Sequence, residues 1–209
     1  MAQDQPLFVF DLDSTITQCE LLPLLAREIS AGAQMEALTE RAMGQGEPFE
    51  QNFRARVELL KDIPLPRARR IAASMPLFPK IADFIRRNPD RCRILTGNLD
   101  VWIEELIRDL DMRGRCLCSR AAVSGDRLLG VERVLDKGEA ARSLPHPFVA
   151  VGDGDNDIEL LRAADFGVAF SGARSASPAL QAAADGLAQS EEALMKLLSG
   201  FLRDPDFAG

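Results

Sequence analysis

Two aspartates near the start of the sequence have the residue type and the spacing to do chemistry. Asp11 and Asp13 stand two positions apart in the run FVFDLDST, which begins at Phe8 and ends at Thr15. A continuous apolar run followed at once by acidic and hydroxyl residues predicts a buried strand that ends in a loop. Because ligands of open α/β sheets bind beyond the carboxyl ends of strands, Asp11 and Asp13 are the first candidates for a functional site.

Three further polar clusters stand where predicted strands end or a predicted helix begins. They are Thr96 with Gly97, Lys137, and Asp153 with Asp157. We expect these clusters to meet at one edge of the sheet, together with the first two aspartates. Several carboxylates without a histidine form a site of hard oxygen ligands, which favours Mg²⁺ over Zn²⁺.

A calcium loop is the first alternative for the acidic cluster. Asp153, Asp155 and Asp157 match the opening of such a loop. The position that needs glycine for the turn is Ile158, however, and the position that needs a bidentate glutamate is Ala164. The sequence therefore argues against a calcium loop.

The combined set of side chains is suited to phosphoryl transfer. The oxygens of a transferring phosphoryl group need cations and donors around them, which a metal, a lysine and a hydroxyl beside glycine N–H groups supply. One carboxylate can act as the nucleophile and form an aspartyl-phosphate. A second carboxyl group with a raised pKa can protonate the leaving alkoxide and later deprotonate water.

Composition excludes several other classes of protein. The net charge of -7 disfavours a nucleic-acid backbone or an anionic membrane surface as partner. The four cysteines and the single His146 have no zinc-site spacing. The first residues lack a basic segment ahead of a long apolar core, and no later window approaches ~18 uninterrupted apolar residues. We expect a reduced, soluble, cytoplasmic protein.

Strands that alternate with helices predict an α/β fold, with a Rossmann-like parallel sheet covered by helices on both faces. The helical segment 16–74 interrupts the alternation after the first strand, as a small helical cap inserted into a core of residues 1–15 and 75–209. Its first helix is expected to begin near 20–22, because Pro23 fits only in a first helical turn. A break at 44–46 should follow.

Downstream of the cap, the pattern predicts three strands and a hairpin. The strands are expected at 92–95, 148–151 and 166–170, and the hairpin over 117–134. Ser124-Gly125-Asp126 is the expected turn of the hairpin.

One arginine in the predicted cap lies on an apolar helix face. At ~100° per residue, Phe49, Phe53 and Leu60 share one face, and Arg56 falls inside the same arc. A guanidinium among apolar side chains is costly unless it reaches water or meets an anion. Arg56 is therefore either a snorkelling or structurally paired residue, or part of an anion site.

The motifs DLDST, Thr96-Gly97, Lys137 and GDGDND, in this order, resemble the four motifs of the haloacid dehalogenase superfamily of phosphotransferases. Within it the chain is similar to the phosphoserine phosphatases, because Glu20 and the run GEPFEQNFRARVELLKDIP resemble their acidic segment and helical cap. The resemblance implies a Mg²⁺-dependent phosphomonoesterase that acts on a small phosphorylated metabolite, with O-phospho-L-serine as the expected substrate.

The resemblance also implies a role for each residue of the core motifs. Asp11 would be the nucleophile and Asp13 the general acid/base. The metal would be held by Asp11, the backbone carbonyl of Asp13 and Asp153, with Asp157 in support. The residues implied in binding the phosphoryl group and the rest of the substrate from the core are Thr96, Gly97, Lys137 and Asn156.

In the cap, the resemblance implies that Glu20 takes the serine ammonium and Arg56 its carboxylate, while Phe49 shields the site. Glu20 as a plain surface charge remains an alternative. We expect the cap to open and close on hinges near 15–18 and 74–76.

Three positions depart from the family's pattern. Thr96 replaces a serine, Asn98 a second glycine, and Asp155 a small neutral residue. These changes preserve the chemistry and bear on specificity. Two alternatives therefore stay open: another small phosphate ester or an alcohol acceptor, and a non-catalytic binding protein on this scaffold.

Overall fold

A seven-stranded sheet forms the centre of the molecule, whose computed structural model describes residues 6–45 and 48–202. The strand order is β4-β3-β2-β1-β5-β6-β7. All neighbouring pairs are parallel except β3 and β4, which form an antiparallel hairpin at one edge. The strands are β1 (Leu7–Phe10), β2 (Cys92–Leu99), β3 (Cys116–Ser124), β4 (Arg127–Arg133), β5 (Phe148–Gly152), β6 (Phe166–Phe170) and β7 (Gly186–Ala188).

Helices lie between most of these strands. They are α1 (Leu21–Glu28), α2 (Gly32–Gln45), α3 (Phe49–Leu60), α4 (Leu65–Ala73), α5 (Pro79–Arg87), α6 (Asp100–Asp109), α7 (Lys137–Arg142), α8 (Ile158–Ala163), α9 (Pro178–Ala183) and α10 (Glu191–Ser199). Short 3₁₀ turns occur at Pro89–Arg91 and Asp155–Asp157. Among the helices of the described residues, none combines the length and the apolar character needed to cross a bilayer.

Both faces of the sheet are covered, as predicted. Successive side chains of a strand point to opposite faces, and β1 shows this with residues that are fully buried on each side. Phe8 and Phe10 join a core cluster with α5, α6 and α10, where both rings make edge contacts with Phe84. Val9 joins a second cluster with α7, α8 and α9. The predicted α/β fold is confirmed.

Four helices, α1 to α4, stand between β1 and α5. The chain leaves the sheet and returns to it side by side, because Thr17 and Leu77 form an antiparallel bridge. Two backbone hydrogen bonds flank this bridge: the N–H of Gln18 donates to Pro76 O at 2.8 Å, and that of Phe78 donates to Ile16 O at 2.9 Å. The outgoing chain crosses within the segment predicted as a hinge at 15–18, whereas the returning chain crosses at 76–78, at the end of the hinge predicted at 74–76.

The first inserted helix begins at Leu21, within the predicted window. The predicted break at 44–46 is placed too early, because α2 continues to Gln45. Gly46 and Glu47 lie outside the described residues, and α3 follows directly after Pro48.

One strand is longer than predicted. The sequence indicated a strand at 92–95, whereas β2 runs on to Leu99 and carries Thr96, Gly97 and Asn98. Pairing of β2 with β3 continues past residue 95: Thr96 aligns with Cys118, and the register then shifts before Leu99 aligns with Ser119. Such irregularities bend a strand and re-aim its side chains, here at the edge where the polar clusters meet. The predicted hairpin is confirmed and turns at Gly125, whose φ is +56°.

Candidate active site

The four polar clusters of the sequence converge at the carboxyl ends of the central strands. The backbone N–H of Asp11 donates to Val151 O at 2.9 Å, which ties the end of β1 to the end of β5. A cavity of about 390 Å³ opens over this edge. Residues of the core that line it are Asp11, Asp13, Thr96, Gly97, Asn98, Asp153, Gly154, Asp155, Asn156, Arg174, Ser175 and Ser177, and those of the inserted helices and their approach are Glu20, Leu22, Phe49, Phe53 and Arg56.

Lys137 joins two of the buried aspartates beneath the cavity. Its Nζ lies 2.5 Å from Asp11 Oδ1 and 2.6 Å from Asp157 Oδ1, and the lysine is 5% exposed. Burial by itself lowers the pKa of Lys137, but the charges of the two carboxylates outweigh burial and raise that pKa above its ordinary value. The lysine therefore stays charged, at a position fixed by the first turn of α7.

Three buried carboxylates form a set of ligands that fits a hard divalent ion. One oxygen from each of Asp11, Asp153 and Asp157 lies within 4.8 Å of the others. Burial raises the pKa of Asp11 well above the ordinary value, and the charges of the other two carboxylates add to the rise against the lowering by Lys137. Lys137 and Arg174 bring two positive charges to three carboxylates, so one negative charge remains in the cluster to attract a cation. A site whose ligands are all oxygen atoms favours Mg²⁺ over Zn²⁺.

Both carboxylate oxygens of Asp157 accept hydrogen bonds from the protein itself. Its Oδ2 accepts the backbone N–H groups of Asp153 and Gly154, each at 3.1 Å, while Oδ1 accepts from Lys137. A Cβ at Gly152 would stand 2.5 Å from the Asp157 Cβ, so the absence of a side chain there permits this packing. Asp157 therefore shapes the loop that presents Asp153.

Asp13 is held next to Asp11 by two donors. Asn98 Nδ2 donates to its Oδ1 at 3.0 Å, and the backbone N–H of Leu21 donates to its Oδ2 at 3.1 Å. Burial raises the pKa of Asp13 to about 7, although both hydrogen bonds act to lower it. The carboxyl group can therefore hold or release a proton near neutral pH. Asn98, which departs from the family pattern, thus donates a hydrogen bond to the carboxyl group of Asp13.

The hydroxyl of Thr96 is buried between these residues. Thr96 is 1% exposed, and its Oγ1 accepts the backbone N–H of Asn98 at 3.2 Å. The ring of Phe49 covers the neighbouring Gly97 and stacks on Phe53 with ring centroids 5.7 Å apart. The inserted helices therefore roof the cavity above the end of β2.

Arg56 lines the cavity from α3, on the arc predicted from the sequence. Burial lowers its pKa below the ordinary arginine value, while the charges of Glu20 and Asp13 act to raise it. Within the described residues, its Nε is buried without a hydrogen-bond partner. Arg56 thus has hydrogen-bonding capacity that a ligand anion can use.

Sequence reasoning missed Arg174, which lies on the loop between β6 and α9. Its Nε lies 2.5 Å from Asp153 Oδ2, and its Nη1 lies 2.9 Å from Glu20 Oε1. The available signal was its position: it follows a predicted strand at the edge where the other clusters meet. Asp155, a departure from the family pattern, is exposed and accepts a hydrogen bond from the Ser177 hydroxyl.

Every residue that the sequence analysis assigned to the site lies at this cavity. Lys137 and Asp157 lie beneath its floor, and the others line it.

Comparison with protein families gives two matches to the sequence. A family of haloacid dehalogenase-like hydrolases matches residues 8–162, and a second family of the same description matches residues 139–194. The first match covers all four polar clusters.

Phosphoserine phosphatases are among the curated relatives of this chain. Phosphoserine phosphatases of Archaeoglobus fulgidus and Mycobacterium tuberculosis are 30% and 34% identical over 94% and 86% of this chain. The chain spans 60% and 46% of these two relatives. The phosphoserine phosphatase of Methanocaldococcus jannaschii is 28% identical and is covered over 92% of its length, against 88% of this chain.

Solved structures agree over nearly the whole chain. A phospho-aspartyl intermediate analogue of a phosphoserine phosphatase superposes with a TM-score of 0.80 at 27% identity, covering 95% of this chain and 99% of that one. A substrate-bound phosphoserine phosphatase complex gives a TM-score of 0.78 at 25% identity, with coverages of 95% and 99%.

Proposed function

The chain belongs to the haloacid dehalogenase-like hydrolases, and on that premise we propose that it is a Mg²⁺-dependent phosphomonoesterase that hydrolyses O-phospho-L-serine. The relatives and solved neighbours named phosphoserine phosphatase support this substrate. The observation that carries the proposal is the contact of one buried lysine with two carboxylates of a three-carboxylate cluster, directly beneath a cavity lined by Asp13, Glu20 and Arg56.

In the first step, an Asp11 carboxylate oxygen attacks phosphorus. The new Asp11 O–P bond forms as the P–O bond to the serine oxygen breaks, and Asp13 gives its proton to the departing alkoxide. A carboxyl group whose pKa is about 7 carries this proton in a large share of molecules at neutral pH. Serine leaves, and an aspartyl-phosphate remains.

In the second step, water attacks the same phosphorus. Asp13, now ionised, accepts the proton of the attacking water, and the P–O bond to Asp11 breaks. Inorganic phosphate and the original carboxylate result, so both residues return to their starting states. The hydrogen bonds from Asn98 and Leu21 hold Asp13 in place through both steps.

Asp11, Asp153 and the backbone carbonyl of Asp13 would hold Mg²⁺, with Asp157 fixing the loop of Asp153. When bound, Mg²⁺ supplies positive charge against the phosphoryl oxygens and offsets the repulsion between nucleophile and substrate. Lys137 adds a fixed positive charge at Asp11.

Thr96, Gly97 and Lys137 would surround the phosphoryl group. The hydroxyl of Thr96 and the backbone N–H of Gly97 lie at the end of β2, beside the end of β1 that carries the nucleophile. Donors fixed before the reaction stabilise charge that develops on the phosphoryl oxygens without reorganising.

The rest of the substrate would be recognised from the inserted helices. We assign the serine carboxylate to Arg56, the ammonium to Glu20 and further contact to Asn156, while Phe49 keeps water out. Residues 16–74 form the cap in this proposal, and residues 1–15 with 75–209 form the core. The enzyme would work in the cytoplasm and supply free serine.

A panel of phosphorylated metabolites tests the proposal, with and without Mg²⁺. We expect phosphate release that depends on Mg²⁺, with the highest kcat/KM for O-phospho-L-serine. Asp11→Asn should abolish turnover and leave the circular dichroism spectrum unchanged. Retained turnover in this variant would refute the nucleophile assignment.

The same panel decides between the two alternatives. A better ester than phosphoserine, or phosphate transferred to an added alcohol in place of release, would identify a related activity on the same site. Absence of Mg²⁺-dependent release across the panel would favour a non-catalytic binding protein.

A further inference from the structure

Arg174 connects the core to the inserted segment across the mouth of the cavity. Its guanidinium contacts Asp153 of the core through Nε, at 2.5 Å, and Glu20 through Nη1, at 2.9 Å. The side chain of Arg174 is 42% exposed and that of Glu20 is 27% exposed, so water and solutes can reach their contact. The only carboxylate assigned to a substrate ammonium is thus already paired with a cation of the protein.

The position of this guanidinium is fixed by more than its contact with Glu20. A Cβ built on Gly154 would stand 2.9 Å from Arg174 Nη2, so the planar group packs against the backbone of that glycine. The bond to Asp153 fixes its other side. Nη1 is therefore presented to Glu20 by contacts that belong entirely to the core.

Arg174 is the cation with which a substrate ammonium must compete for Glu20. The charge of Glu20 attracts both Arg56 and Arg174, and the two arginines repel each other. A substrate carboxylate that binds Arg56 meets no such competition. The ammonium of an amino acid head group, in contrast, must displace or share the contact between Arg174 and Glu20.

We propose that Arg174 is a specificity-determining residue: it neutralises Glu20 from within the protein, so that the cavity accepts phosphate esters of hydroxy acids that lack an amino group, alongside phosphoserine. This inference rests on the proposed phosphatase function. The proposed substrates are short chains that carry a phosphoryl group at one end, a carboxylate at the other and no cationic group between them.

Two esters that differ only in the amino group give the sharpest test. They are O-phospho-L-serine and 3-phosphonooxypropanoate, and the measured quantity is the ratio of their kcat/KM values. In Arg174→Gln, we expect this ratio to rise about fivefold in favour of phosphoserine, because one partly exposed charge pair no longer competes with the ammonium. Arg174→Lys keeps the charge and should stay near the wild-type ratio.

Two controls separate this effect from a general loss of structure. In a Glu20→Gln background, Arg174→Gln should leave the ratio unchanged, since the shared partner is gone. Arg162→Gln removes an exposed arginine that pairs with Glu159 on α8, away from the cavity, and should leave both esters unaffected. A lost carboxylate contact would lower kcat/KM for both esters alike and would not move the ratio.

The inference is overturned if wild-type protein releases phosphate from phosphoserine but not from 3-phosphonooxypropanoate, or if Arg174→Gln does not change the ratio. It is also overturned if Arg174→Lys changes the ratio as much as glutamine does, or if the change persists without Glu20. Calorimetric binding of the two esters to Asp11→Asn protein, with and without Arg174→Gln, gives the same comparison without turnover. If wild-type protein releases phosphate from neither ester, the proposed function fails, and this binding ratio still decides the role of Arg174.

Discussion

The ring of Phe49 lies so close to Gly97 that a Cβ on the glycine would stand 2.7 Å from the ring Cζ. Phe49 begins α3 of the inserted helices, and Gly97 lies on β2 of the core. The absence of a side chain at one residue of the sheet is therefore what lets the roof of the cavity come down onto it.

Gly97→Ala should separate these two elements. The added methyl group keeps the backbone N–H but displaces the Phe49 ring, which is partly exposed and can shift. We expect kcat/KM for phosphoserine to fall by up to about tenfold, which corresponds to ~1.4 kcal/mol, because the ring no longer closes the cavity over β2. Adding Phe49→Ala to Gly97→Ala should restore part of the lost kcat/KM. Gly32→Ala is the control and should leave kcat/KM unchanged, because nothing lies within 4 Å of the added Cβ. Additive losses in the Gly97/Phe49 double variant would contradict the steric explanation.

Lys137→Met should destabilise the fold itself. The change leaves two buried carboxylates, Asp11 and Asp157, without their cation, which typically costs about 3–5 kcal/mol in the free energy of unfolding. Urea denaturation measures this loss. Added Mg²⁺ should restore part of it, since in the proposed site the ion would be held by Asp11, one of the two carboxylates that lose their lysine. Lys80→Met, which removes an exposed lysine paired with Glu192, is the matched control and should unfold at the wild-type midpoint.

In the Mg²⁺-free protein, the stability of Asp13→Asn relative to the wild type should rise with pH, from a starting deficit that arises because an amide cannot accept both hydrogen bonds that Asp13 accepts. Burial raises the pKa of Asp13 to about 7 in the folded state, while an unfolded aspartate titrates near ~3.9. The neutral form therefore contributes its stability below about pH 4, and this contribution is lost as the pH rises through about 7. Asparagine stays neutral throughout, so its stability relative to the wild type should increase by at most about 4 kcal/mol between these two pH values.

Thermal unfolding in a chelating buffer, compared at matched pH values, measures this difference. Asp83→Asn, which changes an exposed aspartate on α5, should show no such trend. An advantage of Asp13→Asn that is constant with pH would mean that the carboxyl group ionises normally.

Mg²⁺ should raise the melting temperature of the wild-type protein in the absence of substrate. Binding to the folded state alone adds about 2.7 kcal/mol at a concentration 100 times the Kd. Asp153→Asn should lose most of this shift, because it removes one of three clustered carboxylates. Asp155→Asn, two residues away but exposed, should keep it. An equal shift in both variants would place the ion elsewhere.

Arg56→Gln should discriminate between substrates by their carboxylate. Loss of a charge-assisted contact costs about 1.5–3 kcal/mol, so kcat/KM for phosphoserine should fall about tenfold to a hundredfold. O-phosphoethanolamine, which keeps the amine but has no carboxylate, should be nearly unaffected. Arg70→Gln, an exposed arginine on α4, serves as the control. Equal losses for the two esters would mean that Arg56 recognises something other than the carboxylate.

The acidic residues of the cavity could be predicted because they directly follow the apolar runs of buried strands. Apolar runs that stop at Asp11 and at Asp153 mark where buried strands reach the edge of the sheet, and a parallel sheet brings such ends together. The 100° spacing in α3 likewise placed Arg56 on the inward arc.

The contacts made by loops could not be predicted in the same way. Arg174 meets Glu20 and Asp153 only because a loop without periodicity crosses the mouth of the cavity, and no local pattern fixes its path. The contact of Asn98 with Asp13 was missed for a related reason. The prediction ended β2 at residue 95, whereas pairing with β3 carries the strand on and turns that amide toward the acid.

The antiparallel bridge between Thr17 and Leu77 holds the two ends of the inserted segment side by side. The length of the chain between these two positions can therefore change without moving the points at which it leaves the sheet and rejoins it. A replacement segment would still have to fill the hydrophobic cluster that the inserted helices share with the sheet. It would also have to supply a donor to Asp13 in place of the Leu21 N–H, so the acid of the reaction is positioned in part by the segment that varies.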